Sequence, residues 1–280
     1  MSTNAPARTR RRGLVPLATG IAVAALGLTF GGLATASAHG NDGHNPHPAP
    51  PTSTAVPKHG DSIPNVTLVE NQIKAYYGDT VVGSDHVPST TGNYAKEVAG
   101  IEAKAKTYLA HAKADKGAKK AVLFDIDDTT LNTYNYEIFS GFAYNPTTNA
   151  DYVNNARFPE VYGMPALVNW ASSKGYSVFF LTGRPEAQRA GTVTNLTNVG
   201  YQVPLDTAHV YLKYAAGSQP SYITCAAATC TTTEYKSQTR KHIESLGYDI
   251  VANFGDQYSD LRGGYADRTY KIPNPMYYLP

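Results

Sequence analysis

Three carboxylates stand within four residues at Asp125, Asp127 and Asp128, directly after the apolar run 121–124. Like charges that close repel unless something positive lies between them. A divalent cation relieves this most simply, and hard carboxylate oxygens suit Mg²⁺. Asp125 and Asp127 are two residues apart, a spacing at which a turn presents both to one bound group. Asp128 is either a further member of this cluster or a turn former. A second acidic cluster lies in Gly255-Asp256-Gln257-Tyr258-Ser259-Asp260, and Lys236 stands twenty residues before Asp256. Between the two clusters runs Leu181-Thr182-Gly183-Arg184-Pro185, whose hydroxyl and amides suit an anion at the start of a helix. A nucleophilic carboxylate, a second one for proton transfer, an anion-binding hydroxyl, a lysine and acids for a cation together suit phosphoryl transfer through an aspartyl-phosphate.

Such groups work only if folded elements bring them to one place. The run 121–124 has the length and continuity of a strand buried in a parallel sheet. Further strand candidates are 177–181, 209–212 and 249–254, separated by helical patterns at 165–174, 185–199 and 235–247. Strands alternating with helices argue an α/β domain with a mainly parallel sheet. Ligands of such sheets bind beyond the carboxyl ends of the strands, where the three polar segments begin. Two helices are expected upstream, over 66–77 and 93–113. In the second, Val98, Ile101, Ala105, Leu109 and Ala112 recur three or four apart on one face. Tyr134, Tyr136, Phe142 and Tyr144 follow the first acidic cluster. They form either an aromatic wall over a bound group or part of the core.

Phe124-Asp125-Ile126-Asp127-Asp128-Thr129 resembles the DxDxT signature of haloacid dehalogenase (HAD) superfamily phosphatases. Leu181-Thr182-Gly183-Arg184 is similar to their second motif, and Gly255-Asp256 with Asp260 to their fourth, in the same order. The tail Tyr270-Lys271-Ile272-Pro273-Asn274-Pro275-Met276-Tyr277-Tyr278 resembles one branch of that superfamily. This branch holds secreted bacterial class B/C-like acid phosphatases and plant acid phosphatases with their storage-protein relatives.

The resemblance covers about 120–278 and implies a Rossmann-like three-layer α/β/α core. It implies that Asp125 attacks phosphorus and ligates Mg²⁺. Asp127 then protonates the leaving alcohol and activates water, its carbonyl binding the metal. Thr182, Gly183, Arg184 and Thr129 meet the substrate or its phosphate. Asp256 ligates Mg²⁺, and Asp260 does so directly or through water, or else caps a helix. The third-motif lysine is Lys236 or Lys213, with Tyr235-Lys236-Ser237 matching the branch better. Arg184 either touches substrate or pairs with a surface acid.

The same resemblance separates chemistries. Transport ATPases carry Thr at the position of Asp127, and dehalogenases lack the acid/base there. A phosphonatase needs a cap lysine, and 131–164 contains none. That stretch is also short, which implies a small or absent cap and an open site. Phosphate monoesters are thus the implied substrates, with a phosphotransferase or a catalytically weak storage protein on the same fold as alternatives. An acid optimum requires a proton on Asp127 in the first step, and crowding by other acids favours that proton while a cation opposes it.

The chain has 280 residues and a formal charge of +2, but its ends differ in character. The first 38 residues hold Arg8, Arg10, Arg11 and Arg12, no acid, an apolar stretch from Gly13 and the ending Ala36-Ser37-Ala38. This reads as a secretory signal peptide, and the arginine pairs permit twin-arginine export. Its removal leaves 20 basic against 22 acidic side chains, a net of −2. Such a chain has no electrostatic case for nucleic acid, and no later apolar run is long enough to span a membrane. Residues 39–60, rich in Pro, Gly and His, read as a flexible linker, leaving 61–280 as one domain. Cys225 and Cys230, in an exported chain, form a local disulfide.

Overall fold

The computed structural model describes residues 63–279; the expected leader over 1–38 and linker over 39–60 lie outside the described residues. The described chain opens with α1 (Val66–Tyr77), the hairpin β1 (Thr80–Val82) and β2 (Asp85–Val87), and α2 (Asn93–Leu109). Helix α1 spans the predicted residues. Asn65 caps it by accepting from the Leu68 amide at 3.2 Å, and Gly78 ends it in the left-handed region at φ 66°. Helix α2 stops four residues short of the expected end, because the polar segment 113–117 turns the chain into the sheet. The amide of Asp115 is fixed there by the Asp249 carboxylate at 2.7 Å.

The rest of the order is β3 (Lys119–Phe124), α3 (Tyr134–Phe139), α4 (Pro146–Asn154), α5 (Met164–Ser173), β4 (Ser177–Pro185), α6 (Arg189–Asn198), β5 (Val210–Lys213), α7 (Thr232–Ser245), β6 (Tyr248–Gly255), α8 (Tyr258–Leu261) and β7 (Thr269–Lys271). Five strands pair in parallel in the order β5-β4-β3-β6-β7. Their side chains alternate between two faces, as the pleat requires. Val122, Phe124, Val178, Phe180 and Phe254 join the core cluster that includes α2 and α5. Ala121, Leu123, Phe179, Leu181 and Ile250 join the opposite cluster, with Ile243 of α7. The result is a three-layer α/β/α sandwich with β3 at its centre. Each buried phenylalanine contributes about 1.5–3 kcal/mol, and Phe124, Phe254 and Tyr270 stack across the sheet at 4.4 and 4.8 Å.

The β4 end differs from expectation. The strand does not give way to a helix after Leu181 but continues to Pro185, followed by one 3-10 turn over Glu186–Gln188 before α6 begins. Pairing with β5 lapses between Leu181 and Pro185, so Thr182, Gly183 and Arg184 form an extended arch at the sheet edge rather than a helix start.

Between Leu131 and Met164 stand only the short helices α3 and α4, in keeping with a small or absent cap. The aromatic residues there divide. Tyr134 stacks on Tyr77 at 4.4 Å and Tyr77 on Tyr94 at 4.2 Å, a column that ties α3 to α1 and α2. Tyr136 is buried and donates to the Asn145 carbonyl at 3.1 Å. These two are core; Tyr144 alone of the four is largely exposed.

The Cys225–Cys230 disulfide forms in the loop before α7. Buried Cys230 packs against the α7-side core. Thr231 and Glu234 then start α7 with a reciprocal capping box.

Glu102 of α2 lies against Gly163, which has φ 85°, and a Cβ on that glycine would overlap the carboxylate. One carboxyl oxygen is enclosed without a partner, and burial pushes the group from 4.5 up to about 7. The neutral acid therefore suits the fold. Its contribution is fully present below pH 4.5 and is lost as pH rises through about 7. Thermal melts of Glu102→Gln should show a smaller fall in Tm between pH 5 and 8 than wild type; an equal fall refutes this role.

Candidate active site

Strand β3 delivers Asp125 to the centre of the carboxyl edge, where the Asp125 amide continues the ladder by donating to the Phe254 carbonyl at 2.9 Å. The next residues turn sharply, with Thr129, Thr130 and Leu131 amides all returning to the Ile126 carbonyl. Asp128 sits in the left-handed region at φ 53°, a conformation aspartate tolerates. Its carboxylate accepts from the Thr133 amide at 3.0 Å and from the Tyr277 hydroxyl at 2.8 Å. It is thus a buried turn former that ties the tail to the first motif. Burial pushes it up to about 7 against the effect of the Thr133 bonds.

Of the two lysines, Lys236 is the one that reaches the first acidic cluster. From the first turn of α7 its Nζ donates to Asp125 Oδ1 and Asp260 Oδ1, each at 2.5 Å. Burial opposes its charge, but Asp125 and Asp260 outweigh burial and raise its pKa. Lys213 ends β5 and forms no ion pair among the described residues.

Asp260 takes one of its expected roles, the helix cap, and adds a contact with Lys236. Its Oδ2 accepts the Gln257 amide at 2.8 Å, capping α8, while its Oδ1 meets Lys236. Gly255 is required beside it, since a Cβ there would overlap the Asp260 side chain. Asp256 offers one oxygen to the Gln257 amide group at 2.6 Å and to that of Asn274 at 2.7 Å. Its other oxygen lies 3.5 Å from the Thr129 hydroxyl, so Thr129 stands beside Asp256.

Asp125, Asp256 and Asp260 present oxygens within 4.8 Å of one another, all three buried. Burial raises Asp125 and Asp256 well above the usual carboxylate range. Neighbouring acids add to this, and Lys236 opposes it only at Asp125. A buried all-oxygen set with excess negative charge fits a hard divalent cation.

At the β4 arch, the Thr182 oxygen accepts the Arg184 amide at 3.1 Å, which leaves the hydroxyl proton free for an anion. A Cβ at Gly183 would meet nothing, so the backbone here is open to a ligand. Arg184 pairs with an acid, one of the two expected roles, and that acid is Asp127 of the first cluster. Its guanidinium grips Asp127 as a fork, Nη2 to Oδ1 at 2.6 Å and Nε to Oδ2 at 3.0 Å, while Nη1 donates to Thr192. Asp127 is therefore not crowded by acids alone: a cation holds it.

A model of the HAD superfamily, subfamily IIIB (acid phosphatase) family matches residues 52–280. The chain belongs to that family. It is 30% identical over 195 residues to acid phosphatase 1 of Solanum lycopersicum, covering 66% of this chain and 69% of the relative. It is 27% identical to vegetative storage protein 1 of Arabidopsis thaliana, over 78% of this chain and 75% of that one. The class C acid phosphatase of Bacillus anthracis shares the fold with a TM-score of 0.53 and 22% identity, covering 75% of this chain and 86% of that chain. Family and relatives support a phosphomonoesterase.

The supports missed in the sequence are Gln257, Asn274, Tyr277 and Arg240. Arg240 is wholly buried one turn after Lys236. It donates to the carbonyls of Asp260 at 2.6 Å and Gly264 at 2.8 Å and to that of Arg262, and burial pushes it down to about 10. Its spacing of four from Lys236 on one helix face was the only available signal. Removing it takes the donor from the Gly264 and Arg262 carbonyls and leaves the Asp260 carbonyl with Asn253 alone, so Arg240→Met should cost about 2 kcal/mol or more in urea unfolding. A loss under about 1 kcal/mol counts against this pinning role.

Proposed function

We propose that this chain is an exported, Mg²⁺-dependent acid phosphatase that hydrolyses small phosphate monoesters through an aspartyl-phosphate on Asp125. The observation that carries the reading is Lys236 bonded at once to Asp125 and Asp260, beside Asp256, in a member of an acid phosphatase family. An Asp125 oxygen attacks phosphorus as the ester P–O bond breaks, and Asp127 gives its proton to the departing alcohol oxygen. Asp127 then takes a proton from water, whose oxygen attacks the same phosphorus, releasing phosphate and restoring Asp125. Lys236 holds Asp125 in line and balances the charge on the phosphate. Thr182 and the amides of the β4 arch receive the phosphate oxygens. Arg184 fixes the orientation of Asp127.

Asp125, Asp256 and the Asp127 carbonyl would hold Mg²⁺, with Asp260 close by directly or through water. When bound, the ion supplies charge neutralisation among the carboxylates and the phosphate oxygens. Export rests on the character of residues 1–38 and agrees with a local disulfide, which persists in oxidising compartments. Among the described residues no helix is long and apolar enough to cross a membrane. A storage role is the second reading, favoured by the likeness to vegetative storage protein 1.

Hydrolysis of p-nitrophenyl phosphate by the chain from His39 decides between them. Mg²⁺-dependent turnover should disappear with EDTA and fall on the order of 10³-fold or more in Asp125→Asn. Absence of turnover, or turnover indifferent to Asp125→Asn, favours storage. Asn274→Ala, which removes one of the two donors to an Asp256 oxygen, should raise the Mg²⁺ concentration for half-maximal activity about tenfold. An unchanged Mg²⁺ requirement removes Asn274 from this support.

A further inference from the structure

Glu137 has no assigned task. It lies on α3 beside Tyr134 and Tyr136, which are buried in the core, yet the residue is only 6% exposed and its carboxylate makes no hydrogen bond or ion pair among the described residues. Its backbone is firmly held, with the amide donating to the Thr133 carbonyl at 3.0 Å and the carbonyl accepting the Phe142 amide at 2.8 Å and the Ser140 hydroxyl at 3.1 Å.

Neither Glu137 oxygen is fully enclosed, so the carboxyl keeps an opening to solvent although the residue is nearly covered. Tyr136, next to it on α3, meets Phe158 edge-on at 6.5 Å, and the Arg184 guanidinium that grips Asp127 lies over the same ring at 5.4 Å, so α3 stands near Asp127. Burial first, and the charge of Asp127 second, push Glu137 up to about 7, and the same Asp127 charge reaches the exposed ring of Tyr144. A buried acid without a partner is costly, and such a group beside a reacting centre is where a ligand completes the hydrogen bonding.

Asp127 acts on the ester oxygen, so groups gathered around it from α3, and not from the strand ends, face the alcohol half of the substrate. We propose that Glu137 is a specificity-determining residue that accepts a hydrogen bond from a hydroxyl of that alcohol, so that the enzyme favours monoesters of polyols and sugars. This rests on the phosphatase reading of the site. A carboxyl accepts such a bond whether neutral or ionised, and a site built for a hydroxyl discriminates against the analogue that lacks it.

The test compares glycerol 2-phosphate with isopropyl phosphate, which has the same carbon skeleton without the two hydroxyls. With Mg²⁺ present, kcat/KM for wild type should favour glycerol 2-phosphate about tenfold. In Glu137→Met that preference should collapse to about one, and in Glu137→Gln, whose amide oxygen still accepts, most of it should remain. A wild-type preference near one overturns the proposal even if Glu137→Met does not fold, and so does a preference that survives in a folded Glu137→Met. Failure of wild type on p-nitrophenyl phosphate is a separate result, which removes the phosphatase reading and the proposal with it.

Discussion

Lys236 between Asp125 and Asp260 is the contact on which the site depends. It joins three elements at once: the end of β3, the first turn of α7 and the short helix α8. A buried ammonium with two carboxylates is stable only when its hydrogen bonds are made, and losing one member leaves an uncompensated charge. Much of the surrounding structure serves this geometry. The disulfide and the Thr231–Glu234 capping box fix the start of α7, while Arg240 one turn after Lys236 holds the Asp260 carbonyl of α8 and the loop that follows it.

The acids around that contact are managed in different ways. Asp127 is gripped by Arg184, Asp128 is absorbed into the turn by Thr133 and Tyr277, and Asp256 is steadied by Gln257 and Asn274. What remains is the buried group of Asp125, Asp256 and Asp260, with one lysine against three carboxylates. That imbalance suits a divalent cation. The C-terminal tail, through Asn274 and Tyr277, is part of the same arrangement and links the fourth motif to the first.

The sequence by itself determined the alternation of strands and helices, the parallel sheet and the three polar segments at its carboxyl edge. Continuous apolar runs such as 121–124 and 249–254 have few other places to go than a buried strand, so these features were legible. The spacing of Asp125 and Asp127 was legible too, being a local requirement of a turn. Only the tertiary structure decided which lysine reaches Asp125, that β4 runs on to Pro185, that Arg184 grips Asp127, and that Tyr134 and Tyr136 belong to the core. Each of these depends on pairs far apart in the chain, Lys236 with Asp125 and Tyr277 with Asp128 among them. Spacing along a sequence constrains neighbours within a turn or two, whereas a contact between distant segments is fixed by how the layers pack.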